Sequence, residues 1–103
     1  AMNEGATPLY IASQNDHVEG VRILAERGAD INKAMNEGIT PLSIASQKGH
    51  MEVVRILVER GADINKAHNN GLTPLMVAKH SNHTEIIRLL ERAQAQQSSR
   101  KKK

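Results

Sequence analysis

The sequence predicts an all-α solenoid of stacked helix-turn-helix units, and three observations support this prediction. A 33-residue segment is repeated three times, and residues 1–33 and 34–66 agree at 26 of 33 aligned positions. Each copy has two short stretches of apolar residues at helical spacing, separated by a polar turn. The copies are joined by loops rich in Asn, Asp and Gly. A fixed period of this length is typical of architectures in which each unit buries its apolar face against its neighbours.

Composition and charge limit the function. The 103 residues form one domain, 1–99, with units at 1–33, 34–66 and 67–99, followed by a basic tail at 100–103 that we expect to be disordered. The domain carries a net charge of −1 and the tail +4, so the basicity is not a property of a folded face. The chain also has only one aromatic residue. The lack of a basic folded face and the scarcity of aromatic residues both argue against nucleic-acid binding. The chain has no cysteine and no apolar run of ~20 residues, so we expect an intracellular protein that does not span a membrane.

The first helix of each unit is predicted from its opening residues. In the second unit Thr40 is a suitable N-cap. Pro41 suits the first helical position, because its missing N–H has no intrahelical partner there. Gly49 favours the left-handed conformation that ends a helix. Asp16 and Asn82 hold that position in the other units, and Asn and Asp tolerate the conformation better than most residues.

The second helix of each unit follows a histidine and carries a broad apolar stripe. In the second unit Arg55 is spaced for weak ion pairs with Glu52 and Glu59, and Gly61 ends the helix. In the third unit Gln94 replaces this glycine, so we expect the last helix to continue past residue 93. There Glu91 replaces Val58, Arg92 replaces Glu59, and Lys79 and His80 replace Ser46 and Gln47, which predicts an end that faces water.

The motifs at the two ends of each unit resemble the ankyrin repeat, which has a 33-residue period and the signature T-P-L-H-x-A. The tripeptide Thr-Pro-Leu occupies 7–9, 40–42 and 73–75, and Gly-Ala-Asp-Ile-Asn occupies 28–32 and 61–65. The resemblance covers residues 1 to about 93. Tyr10, Ser43 and Met76 replace the signature histidine, so we expect its hydrogen bonds near the loops to be missing.

The resemblance implies a non-catalytic module that binds another protein through the concave face of its first helices and its loop tips. Leu and Ala positions that are identical in all three units belong to the core, whereas positions 6/39/72, 10/43/76 and 15/48/81 vary along one side. The predicted partner-binding residues are Asn3, Glu4, Ala6, Tyr10, Gln14, Asn15, Asn36, Glu37, Ile39, Ser43, Gln47, Lys48, His68, Asn69, Asn70, Leu72, Met76 and His80.

Within this set we expect Tyr10, Ile39, Leu72 and Met76 to be exposed apolar anchors. The alternative for Ile39 and Leu72 is that they fill gaps between neighbouring loops. The alternative for Glu4 and Glu37 is that they are ordinary solvated charges.

Metal and enzyme chemistry have little support. His17, His50 and His83 recur every 33 residues, and packed helices lie ~8–10 Å apart, too far for successive units to share one ion. We expect these histidines to be polar residues at the start of each second helix. The sequence has no phosphate-binding glycine motif and no nucleophile beside a base, so we expect no cofactor and no catalysis.

The two ends of the array differ. In the first unit no comparable set of polar residues replaces the repeat residues. Gly20 lies inside its second helix and costs ~1 kcal/mol, so we expect this unit to be the least stable. We expect an excised segment of a longer array, with a consensus-derived design as the alternative. The chain is predicted to be mostly monomeric, with weak self-association through the uncapped N-terminal face. A passive scaffold without its own partner is the alternative function, and a contribution to nuclear import is the alternative role for the tail.

Overall fold

Three consecutive helix pairs make up the part of the chain that the computed structural model describes, residues 7–34 and 36–101. The helices are α1 (Pro8–Gln14), α2 (Val18–Glu26), α3 (Pro41–Lys48), α4 (Met51–Glu59), α5 (Pro74–His80) and α6 (Thr84–Lys101), with a 3-10 turn at Asn36–Gly38. These ranges contain no β-strand, so the all-α prediction is confirmed.

The predicted start and stop signals act as expected. The side chains of Thr7, Thr40 and Thr73 each accept a hydrogen bond from the backbone N–H three residues on, at 3.0, 3.1 and 3.3 Å. A proline follows each threonine at the first helical position. After each first helix the chain turns through a residue in the left-handed conformation. These residues are Asp16, Gly49 and Asn82, with φ of 59°, 81° and 62°. Each unit therefore begins and turns by local chemistry.

The helices form two layers with the core between them. Helices α1, α3 and α5 pack side by side, as do α2, α4 and α6, and each pair is also packed within its unit. Leu42 and Leu57 lie in one apolar cluster, at 1% and 0% exposure, and Leu75 packs against it. Aliphatic side chains shared between successive units thus hold the array together.

The recurring histidines join one unit to the next, a role that the sequence did not predict. The Nε2 atom of His50 lies 3.0 Å from the backbone oxygen of Gln14, and that of His83 lies 3.1 Å from the oxygen of Gln47. Because a carbonyl can only accept a hydrogen bond, Nε2 donates in both cases. His17, the first of the series, is exposed.

The end of the third unit faces water, as predicted. Lys79, His80, Glu91 and Arg92 are all exposed. Helix α6 continues to Lys101, which confirms the extension past residue 93. Residues 100–101 belong to this helix, and residues 102–103 lie outside the described residues, so the disorder of the tail stays a prediction.

Two further expectations concern the second helices. Arg55 lies 3.2 Å from Glu52, so the first of its two predicted ion pairs is present. A Cβ atom added at Gly20 would lie 3.6 Å from the His17 Cβ and 3.7 Å from the Ala12 Cβ, so nothing in the packing requires glycine there. The lower stability of the first unit stays a prediction.

Among residues 7–34 and 36–101, no helix combines the length and apolarity needed to cross a membrane.

Candidate partner-binding surface

The predicted partner-binding residues separate into three groups in the structure. Asn3, Glu4 and Ala6 lie outside the described residues, and Asn36 is part of the 3-10 turn. Tyr10 and Ser43 are buried. The remaining residues are exposed or half-buried: Gln14, Asn15, Glu37, Ile39, Gln47, Lys48, His68, Asn69, Asn70, Leu72, Met76 and His80.

The prediction that Tyr10 is an exposed anchor was wrong, and the groove position assigned to Ser43 was wrong as well. Tyr10 is 5% exposed and Ser43 0%, whereas the equivalent Met76 in the third unit is 49% exposed. In the second unit Ser43 is covered by His68 of the next loop, whose Nε2 shares a hydrogen bond with the Ser43 hydroxyl. Burial raises the pKa of the Tyr10 phenol above its ordinary value. In the second unit this position therefore points toward the following unit, and in the third unit it is exposed.

The bond between Ser43 and His68 also corrects an expectation about the loops. Replacement of the signature histidine was expected to remove its hydrogen bonds near the loops. In the second unit a hydroxyl stands in the signature position, and the imidazole comes from the neighbouring loop. The loop at His68 is therefore anchored to α3 by a hydrogen bond between a hydroxyl and an imidazole.

The loop tips stack directly on each other. The backbone N–H of Asn69 donates to the backbone oxygen of Glu37 at 2.8 Å. Gly38 has φ of 79°, and a Cβ atom there would lie 3.0 Å from the Asn69 nitrogen and 2.8 Å from its Oδ1. Glycine is required at position 38 for both reasons. Exposed polar side chains thus line a continuous loop edge.

The apolar residues of this edge differ between units. Leu72 is 38% exposed, whereas the equivalent Ile39 is half-buried. The partial burial of Ile39 agrees with the alternative that it fills a gap between loops. Leu72 and Met76 are then the large apolar side chains that the loop side of the third unit presents to solvent. Exposed apolar side chains grouped in this way are typical of binding surfaces.

Charge is distributed unevenly over the layer of first helices. Helices α1, α3 and α5 contain no acidic residue. Lys48 and His80 are exposed near the third unit, and Lys79 lies 4.0 Å from Glu91 of α6. The exposed lysines of the first-helix layer therefore lie at the C-terminal ends of α3 and α5, whereas the exposed carboxylate of Glu37 lies on the loop edge.

His68 gives this surface a pH dependence. Burial lowers the pKa of its imidazole below the ordinary value of 6.5, while the Glu37 carboxylate acts in the opposite direction. Because the folded state disfavours the protonated ring, we expect the free energy of unfolding to fall as the pH drops from about 6.5. Urea unfolding at pH 7.5 and pH 5.5 should show a smaller difference for His68→Gln than for the unchanged protein. Equal differences in the two proteins would contradict this.

No metal site was found in the described part of the chain, where no three His, Asp or Glu side chains come close enough to hold an ion.

Comparison with protein families agrees with the repeat motifs. A family model described as ankyrin repeats (3 copies) matches residues 30–101, and a second, ankyrin repeats (many copies), matches residues 2–45. A search of curated proteins gave no match. Proteins of the matched family are generally protein–protein interaction modules and are typically not enzymes.

Proposed function

We propose, from the premise that this chain belongs to the ankyrin-repeat family, that it is a non-catalytic module that binds another protein at the loop side of its third unit. The observation that carries the proposal is the joint exposure of Leu72 and Met76, at 38% and 49%. Buried apolar anchors supply most of the energy of protein interfaces, whereas rim charges supply little. Since the equivalent positions of the second unit are half-buried or buried, the third unit offers the strongest anchor site.

Polar groups around this apolar pair favour one kind of partner. The half-buried imidazole of His68 and the exposed amides of Asn69 and Asn70 lie on the loop edge. Lys48 and His80 are exposed at the C-terminal ends of α3 and α5. A partner segment with apolar side chains for Leu72 and Met76 and a carboxylate placed toward these helix ends would match both features, since complementary charge favours association.

Removal of the two anchors tests this proposal. We expect the double variant Leu72→Ser and Met76→Ser to weaken partner binding about tenfold or more, because the interface loses its apolar centre. Its free energy of unfolding should change by about 1 kcal/mol or less, since both side chains are already largely in water. Capture from cell extract followed by titration calorimetry with the retained protein measures binding, and urea unfolding measures stability.

Ile11→Ser is the matched control. Ile11 is an apolar side chain of similar exposure, 41%, but it lies in the first unit at the other end of the array. A partner retained by the unchanged protein and by Ile11→Ser, and lost by the double variant, would support the proposal. Equal retention by all three proteins, or by none, would reject it. No retention at all would favour the alternative function, a passive scaffold.

A further inference from the structure

We propose that Asn70 is a site of spontaneous covalent modification, at which the backbone nitrogen of Gly71 displaces the side-chain amide and a carboxylate results, at a rate limited by the packing of the loop. Asn70 and Gly71 form the one Asn-Gly pair in the sequence. Both residues are exposed. The equivalent positions of the first two units hold Glu4 and Glu37, so the product gives the third loop the charge that the other two loops carry.

The reaction needs only these two residues and water. The Gly71 nitrogen attacks the Cγ atom of Asn70, its proton passes to the departing Nδ2 group, and ammonia leaves. Water then opens the five-membered imide ring that has formed. Attack of water at Cγ breaks the new bond to the Gly71 nitrogen and gives aspartate. Attack at the backbone carbonyl carbon breaks the original peptide bond instead and gives isoaspartate, in which the chain runs through Cγ.

The turn holds the Asn70 side chain beside the bond where the ring closes. Its Oδ1 accepts a hydrogen bond from the Leu72 N–H at 3.2 Å, and the Gly71 nitrogen lies between these two groups along the chain. The Leu72 N–H also stabilises the negative charge that develops on this oxygen during the attack. A Cβ atom placed at Gly71 would meet nothing within 4 Å, so the water that opens the ring has access.

The packing of the loop opposes the attack. The Gly71 N–H donates to the His68 backbone oxygen at 2.8 Å, so the nitrogen must leave this bond before the ring can close. His68 is itself held by its N–H, which donates to the Leu72 oxygen at 2.8 Å, and by its ring, which bonds to the Ser43 hydroxyl. We therefore expect the reaction to proceed when these bonds open, at a rate set by how often they open.

The product adds a charge to a recess at the loop tips. Asn70 lines this recess of about 110 Å³ together with Glu37, His68 and Asn69. Burial lowers the pKa of the His68 imidazole and the Glu37 carboxylate opposes this effect, so a second carboxylate would act with Glu37. The effect of the new charge on partner binding rests on the proposed function, whereas the modification itself does not.

Incubation of the unchanged protein at pH 8.5, followed by tryptic digestion and mass spectrometry, tests the proposal. Cleavage after Lys66 and Lys79 releases Asn69 and Asn70 in one peptide, so the equally exposed Asn69 is the internal control. We expect conversion at Asn70 to be at least about tenfold faster than at Asn69, because only Asn70 is followed by a residue without a Cβ that crowds the ring. Isoaspartate should form beside aspartate, since it arises only through the ring.

Two substitutions separate the chemistry from the fold. Asn70→Gln should bring conversion at this position down to the rate at Asn69, because its longer side chain would have to close a six-membered ring. Ser43→Ala should speed conversion at Asn70 about fivefold, because the loop loses an anchoring hydrogen bond and opens more often. Urea below the unfolding transition should speed conversion in the unchanged protein for the same reason, which keeps the test valid if Ser43→Ala does not fold.

Three results would overturn the proposal. No conversion at Asn70, or equal conversion at Asn69, would show that the Asn-Gly pair has no special reactivity. Aspartate without isoaspartate would mean direct hydrolysis of the amide by water. A rate that neither Ser43→Ala nor urea changes would show that the packing of the loop does not limit the reaction.

Discussion

Replacement of Leu57 with alanine is expected to lower the free energy of unfolding by about 3–5 kcal/mol. Leu57 is 0% exposed and lies in helix α4, between the first and third units. Truncation there removes apolar contacts and leaves a cavity, because close-packed neighbours relax only in part. A protein of this size is typically stable by only about 5–15 kcal/mol, so this one substitution removes a large share.

Leu24→Ala is the matched control for this prediction. Leu24 occupies the equivalent position in the first unit but is only half-buried, because it lines an open recess beside Pro8 and Ala29. We expect it to cost less than half as much as Leu57→Ala, since less surface returns to water. Urea unfolding followed by circular dichroism measures both. Equal losses would show that burial between units does not set the energy of this position.

Replacement of His50 with alanine is expected to cost about 2 kcal/mol. The change removes the hydrogen bond to the Gln14 oxygen and leaves that carbonyl without this donor. The bond spans the junction between the first two units, so its loss should also weaken the packing of the first unit on the second. We expect hydrogen exchange to speed up in α1 and α2 more than in α5 and α6.

The control for His50 is its own counterpart in the first unit. His17 holds the equivalent position and is exposed, so His17→Ala should change the free energy of unfolding by about 0.5 kcal/mol or less. Comparable effects of the two substitutions would mean that the histidine acts through its own helix rather than across the junction. The same pair of measurements thus separates a local helix effect from a contact between units.

Local structure was predictable because it depends on neighbours in sequence. The threonine caps, the prolines at the first helical positions and the left-handed residues Asp16 and Asn82 all act as the sequence predicted. Each effect arises within four residues, through a hydrogen bond or a backbone preference. The missing glycine in the third unit likewise predicted the extension of α6.

The candidate site was less predictable, because exposure depends on what the next unit covers. Tyr10, Ser43 and Met76 occupy one repeat position, yet the first two are buried and the third is 49% exposed. Because the three residues differ between units, all three were predicted to be exposed and available to a partner. A hydroxyl and an imidazole that form a hydrogen bond 25 residues apart leave no signal within either segment.

The amino-acid sequence alone determined the all-α repeat architecture, the boundaries of most helices and the family, because a 33-residue period repeats local chemistry that needs no distant partner. Tertiary structure decided which copy of a repeated residue meets water. Ile11 and Ile44 are chemically the same, and stacking alone buries one and leaves the other exposed. Packing between units therefore decides which copies of a repeated residue are exposed: Ile11 in the first unit and Met76 in the third.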